Sequence, residues 1–239
     1  LTAGGSIADS SNVSLKASGA VFDVSGANGP VFINELTGVA GSHIYLGGNA
    51  LNFTERLAAA YSGVISDGGT AGGAGGSLIV NGTQPLRLAG DNTFTGGVTL
   101  QNGFLELAAY GAAGTHAITF AGQADLLTDN GALSQNGASG SLSNAINGFA
   151  AGDMIDLTGL TYSEGSTHAT YLNGDLTVSN GASTVILQLG GVAVDQAFIA
   201  TNDGHGGVSI SETNGQFIGL DTAHMMITSS SHALDLYGA

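Results

Sequence analysis

Cysteine is absent from this 239-residue chain, which excludes disulfides and thiolate metal sites and leaves packing and strand ladders to hold the fold. Tryptophan is absent as well, and with it a favoured stacking platform for nucleic-acid bases. Basic residues number only three, Lys16, Arg56 and Arg87, and they are dispersed against 18 acidic ones. The resulting net charge of −15 opposes phosphate backbones and anionic lipid, so no nucleic-acid partner is expected. No apolar run reaches the roughly 18 residues of a membrane helix, and the chain is not expected to be membrane-spanning. It begins at Leu1 without a basic or apolar leader, as a processed chain or a fragment does. With only two prolines it also lacks the composition of a proline-rich disordered tract.

What is present is glycine, 41 residues of it, set among 43% hydrophobic residues at a mean hydropathy of +0.26. That combination offers enough apolar material to bury, with frequent turns at short intervals. Alanine and leucine are interrupted too often by Gly, Asn, Ser and Thr to sustain a helical stripe, whereas period-two alternations recur throughout. The expected class is all-β, elongated, with little or no helix.

Strand-like runs occupy 13–16, 20–24, 31–36, 43–46 and 61–66, at the spacing of stacked coils with short turns. Between them, 54–60 (TERLAAA) has good helix formers behind an N-cap candidate at Asn52 or Thr54, which predicts one helical turn on a loop. The tract 67–76 (DGGTAGGAGG) reads as a flexible loop protruding between coils. A strand pattern follows it, with no lysine and no helix opening, so it is not read as a phosphate cradle.

The pattern is most regular over 77–127, where six runs (78–80, 86–88, 98–100, 104–107, 117–120 and 124–127) predict about two triangular rungs. Residues 128–145 are polar and small and read as a connection between a first module, 1–127, and a second β-rich module, 146–239. In that second module Leu176 and Val178 alternate on one side of Asn180-Gly181, and Val185, Leu187 and Leu189 on the other, which predicts a hairpin. Runs at 217–220, 224–228 and 234–237 are expected to end the stack.

Gly90, Asn92, Thr93, Phe94, Thr95, Gly96, Gly97, Leu100, Gly103 and Leu105 fit a glycine-rich pattern of roughly apolar-x-Gly-x-Asn-Thr-aromatic-Thr-Gly-Gly-Thr-x-apolar-x-x-Gly-x-Leu. The segment about 61–127 thereby resembles the autotransporter-associated β-strand repeat of bacterial passenger domains. Phe149, Gly152, Asp153, Ile155, Asp156 and Leu157, with Phe198, Asp203, Gly204, Gly206 and Gly207, make 146–211 similar to a module near the ends of large secreted proteobacterial surface proteins. These resemblances imply a right-handed parallel β-solenoid (β-helix) on the bacterial cell surface or outside the cell. A self-transporting passenger would also carry a C-terminal membrane barrel, and no such run of alternating strands is present.

Chemistry-bearing residues are few. Asp153, Asp156 and Asp203 are candidate calcium ligands, since hard carboxylate oxygens beside glycine turns suit that ion, with backbone capping as the competing role. No cofactor beyond such calcium is expected. Asn92, Gly96, Gly97 and Gly103 are read as structural, with Asn92 in an amide ladder that satisfies turn backbone groups. The six histidines (His43, His116, His168, His205, His224, His232) never pair at metal-ligand spacing.

The expected function is a non-catalytic extracellular structural or adhesive protein: a surface stalk, or a homo-oligomeric filament or coat subunit that meets host cells, surfaces or polysaccharide. The alternative is a carbohydrate-active β-helix enzyme of the glycoside hydrolase kind, using Glu106, Asp125 or Asp129 brought together on adjacent coils. A sugar-binding module stacking rings on Tyr45, Tyr110, Tyr162 or Tyr171 is the other reading.

Overall fold

The computed structural model describes residues 12–136, 139–192, 196–213, 229–230 and 233–234. Within them the chain is all-β, built on a long and mostly parallel sheet, with one turn of 3-10 helix at Asn130–Ala132. Three parallel ladders organise it. The first runs through Asn12–Leu15, Glu35–Gly38, Ala59–Tyr61, the second halves of Ser77–Leu88 and Val98–Leu107, then Ala124–Thr128 and Met154–Leu157. The second holds Val21–Asp23, His43–Tyr45 and Val64–Ser66. The third takes Val31–Ile33, Ala50–Phe53, the first halves of Ser77–Leu88 and Val98–Leu107, then Ile118–Phe120 and Ile146–Asn147. Up to residue 66 the chain visits first, second and third ladder in the same order on every pass.

The period-two alternation explains this arrangement, because each ladder aligns one inward column across successive passes. In the third ladder Val31, Leu51, Leu78, Val98, Ile118 and Ile146 are register partners in turn, and all are buried. Ala59, Leu86, Leu105, Leu126 and Ile155 form the matching column of the first. Each such Leu, Val or Ile contributes roughly 1.5–3 kcal/mol by leaving water, so the columns dominate the fold's stability.

Several expectations are corrected by the register. The runs at 31–36 and 61–66 each divide between two ladders. The stretch 77–127 makes three passes that each supply strands to the third and first ladders only, not two triangular rungs. The second ladder ends as strand at Val64–Ser66, and the backbone continues above it through Thr93 N–H to Ile65 O at 2.9 Å without a strand. No helical turn forms at 54–60: residues 54–58 are irregular and Ala59–Tyr61 enters the first ladder, because pairing with Leu86–Leu88 outweighs a short run of helix formers. Nor does 67–76 protrude freely. Thr70 N–H donates to Asp23 Oδ2 at 2.8 Å, Ala71 N–H to Ser25 Oγ at 3.0 Å, and Gly76 N–H to Asp67 Oδ1 at 3.0 Å.

Asn102-Gly103 is a bulged corner rather than a break, since Val98–Leu107 is one strand whose register against Ser77–Leu88 shifts on either side of Asn102. Gly103 takes a φ of +111°, and a Cβ there would collide with the carbonyl of Gly82 on the pass below. Gly103→Ala is therefore expected to cost roughly 3 kcal/mol or more, combining backbone strain with the clash. Gly68→Ala is the control, with φ of +81° but open space around its Cβ. Equal melting temperatures for the two variants would remove the close-approach argument.

The ladders run through the 128–145 span, where Ser134–Asn136 and Ser139–Ser141 also form a short antiparallel pair. Beyond it antiparallel pairing enters, although Thr184–Gly190 still pairs parallel with Ser139–Ser141 and Ile146–Asn147. His168–Leu172, Asp175–Ser179 and Thr184–Gly190 form a meander, with Asn180-Gly181 at its second turn. Val208–Thr213 pairs antiparallel with both Met154–Leu157 and Ala197–Asn202. The runs expected at 217–220 and 224–228 lie outside the described residues. Leu234 falls in the small pair Ser229–Ser230 with Ala233–Leu234, and 235–237 lie outside.

Candidate functional surface

Outward positions of the first ladder alternate with its buried column, and on the passes above Arg87 they include the acids Glu106, Asp125 and Asp156. Arg87 Nε bonds Glu106 Oε1 at 2.7 Å on the next pass, and its Nη2 reaches Asp129 Oδ2 at 3.3 Å one pass further. Asp129 Oδ1 accepts from Thr158 Oγ1 at 2.7 Å. Two of the three acids that a carboxylate-pair reaction would draw on thus share one guanidinium. The third, Asp125, stands in register with Phe104 below and Met154 above, and burial plus the charge of Asp153 push its carboxyl upward.

Asp153 is buried and holds two backbone groups: Oδ1 accepts from Ala124 N–H at 3.1 Å and Oδ2 from Ala150 N–H at 2.9 Å. Burial raises its pKa while those two bonds pull it down. Asp203 closes the hairpin turn, its Oδ1 accepting from His205 N–H at 2.6 Å and Gly207 N–H at 2.9 Å. Asp156 differs, because its Oδ1 is buried with no hydrogen-bond partner. Its pKa is pushed up to about 6 by burial and by the charges of Asp203, Asp125 and Asp129, against which His205 acts. Among the described residues no three of His, Cys, Asp or Glu are placed to hold a metal ion. The carboxylates of Asp153 and Asp203 cap turns, Asp153 through both oxygens and Asp203 through Oδ1.

Asn92 sits where the second ladder stops being strand. Its Oδ1 accepts from Ile65 N–H below at 2.7 Å and its Nδ2 donates to Ala112 O above at 2.6 Å, so one buried amide joins three passes. Two passes of glycine meet nearby: a Cβ on Gly96 would strike the Gly75 and Gly76 carbonyls, and one on Gly97, at φ of +80°, would stand 2.6 Å from Ala117 O. Sequence reasoning missed Asn144, whose Nδ2 donates to Gly114 O at 3.1 Å and His116 O at 2.5 Å. Its polar, small-residue surroundings gave no sign of burial.

The other missed residue is Glu55, which is completely buried. Residues 54–58 leave the first ladder, so Leu36 N–H lacks a strand carbonyl above it, and Glu55 Oε1 accepts it instead at 3.1 Å. Its Oε2 has no partner, and burial with the nearby Glu35 charge pushes the carboxyl to about 8 against that one bond. Beside Arg56 in sequence, Glu55 reads as an ordinary exposed acid.

No family model matches the chain, and neither the curated proteins nor the solved structures contain a match to it.

Proposed function

We propose that this chain is a right-handed parallel β-solenoid of the autotransporter passenger kind, acting outside the bacterial cell as a non-catalytic structural or adhesive element. It serves as a surface stalk or as the subunit of a self-associating filament or coat. The observation that carries this reading is the recurrence of the third and first ladders from pass to pass, joined by the second up to residue 66, with the buried inward residues of each ladder in register. Such stacks have ends, and a strand edge is a template for pairing.

Among the described residues, Asn12–Leu15, Val21–Asp23 and Val31–Ile33 each pair on one side only. That same first pass exposes Val21 at 54% and Phe32 at 49%, large apolar groups on an otherwise acidic molecule. At the other end Met154–Leu157 is covered by the antiparallel Val208–Thr213 and Ile146–Asn147 by the parallel Thr184–Gly190, so association is proposed through the first pass. Sedimentation velocity and negative-stain imaging over rising concentration are expected to show end-associated rods. The double replacement of Val21 and Phe32 by lysine should shift the distribution to monomer. A wild-type chain that stays monomeric at every concentration overturns self-association, and release of reducing sugar that vanishes in Asp125→Asn or Asp129→Asn overturns the non-catalytic assignment.

A further inference from the structure

The corner between the third and first ladders holds an open groove of about 290 Å3 that crosses successive passes. Its floor is glycine: Gly82, Gly103 and Gly152. Glycine is required at Gly103, where a Cβ would strike the Gly82 backbone, and is favoured at Gly152 by a φ of +100°. The walls are Thr83, Asn102, Phe104, Gln123 and Asp125. Phe104 is partly buried, with Pro85 as its register partner below and Asp125 above, so an apolar strip passes directly into a polar one. Among the described residues, no protein hydrogen bond engages the side chains of Asn102, Gln123 or Asp125.

We propose that this groove binds an uncharged glycan, with a hexopyranose ring laid on the face of Phe104 and its hydroxyls bonded by Asn102, Gln123 and Asp125. A pyranose has an apolar C–H face and a rim of hydroxyls that both donate and accept. An aromatic ring answers the first, and side-chain amides with a carboxylate answer the second. An anionic ligand is disfavoured because the molecule carries −15 and Arg87 is occupied by Glu106 and Asp129, and the groove lining holds one acid, Asp125, beside two amides, which suits neutral hydroxyls better than ammonium groups. It is a chain rather than a single sugar because the groove runs across passes about 4.8 Å apart, a spacing that lets successive units meet successive passes.

This inference rests on the adhesive arm of the function proposed above and is independent of self-association. Isothermal titration calorimetry of the whole chain against neutral hexamers of β-glucose, α-glucose and mannose, with hexagalacturonate and a chitosan hexamer alongside, tests it. At least one neutral hexamer is expected to bind, with affinity falling about tenfold or more in Phe104→Ala and staying within about threefold in Phe104→Tyr. Asn102→Ala, at an exposed residue with no protein hydrogen bond, should weaken binding several-fold with an unchanged melting temperature. No binding by any neutral hexamer, unaltered binding in both Phe104→Ala and Asn102→Ala, or binding of the charged hexamers alone overturns the proposal. Sedimentation of the same preparation reports self-association separately, so loss of one leaves the other standing.

Discussion

Glu55→Gln is expected to make the protein more stable at pH 8.5 than the wild type, by about 3–5 kcal/mol, while changing little at pH 5. The sign follows from the folded pKa of about 8, which lies above the ordinary glutamate value of 4.5. Between those two pH values the folded chain keeps a proton that the unfolded chain has released. Stability therefore is fully present below the unfolded value and declines as pH rises toward 8, where the buried carboxyl must ionise. Glutamine removes that titration and keeps an oxygen to accept from Leu36 N–H. Asp156, at about 6, adds a slope of the same sign at lower pH. Measurements above pH 6.5 isolate Glu55.

Glu55→Ala separates the two roles of the side chain, because it removes the charge but leaves Leu36 N–H unpartnered beside a cavity. It should destabilise the fold at pH 5, where Glu55→Gln does not. Denaturant midpoints at pH 5, 7 and 8.5 for the three proteins check this. Parallel wild-type and Glu55→Gln curves over pH 6.5–8.5 would show that the carboxyl reaches water and sink the account.

The inward columns were legible because alternation is local: Leu78 with Val80, Leu86 with Leu88 and Leu105 with Leu107 announce their common face within a few residues. The register between passes was not, since it pairs residues such as Tyr61 and Leu88 that no local pattern connects. For the same reason the glycine-rich 67–76 loop looked free, although Asp23 and Ser25, far back in the chain, hold its backbone. Burial pushes the Asp23 carboxyl up, but the hydrogen bonds from Ser25 and Thr70 prevail and hold it below its usual range. Of the candidate residues, Asn92 was recognisable from its place before an aromatic and two glycines. Glu55 was not, because what buries it is the absence of a strand one pass above Leu36.

Asn92→Ala is expected to cost roughly 3–5 kcal/mol, since it strands two buried backbone groups at once, Ile65 N–H and Ala112 C=O, each worth about 1–3 kcal/mol when unpaired. Elsewhere in the first two passes a neighbouring strand would supply these partners, but the second ladder has ended at Val64–Ser66 and no strand lies above it. The side chain therefore stands in for a strand, accepting downward and donating upward. Asn92→Asp tests the direction of that exchange: an ionised carboxylate still accepts from Ile65 but faces the Ala112 carbonyl without a proton to give. Its stability should recover toward wild type as pH falls and the carboxyl regains a donor. Asn102→Ala, at an exposed amide on the corner between the third and first ladders, should leave the melting temperature unchanged. If Asn92→Ala melts with Asn102→Ala rather than well below it, the amide is not bridging the passes, and the backbone at Ile65 must be satisfied by water instead.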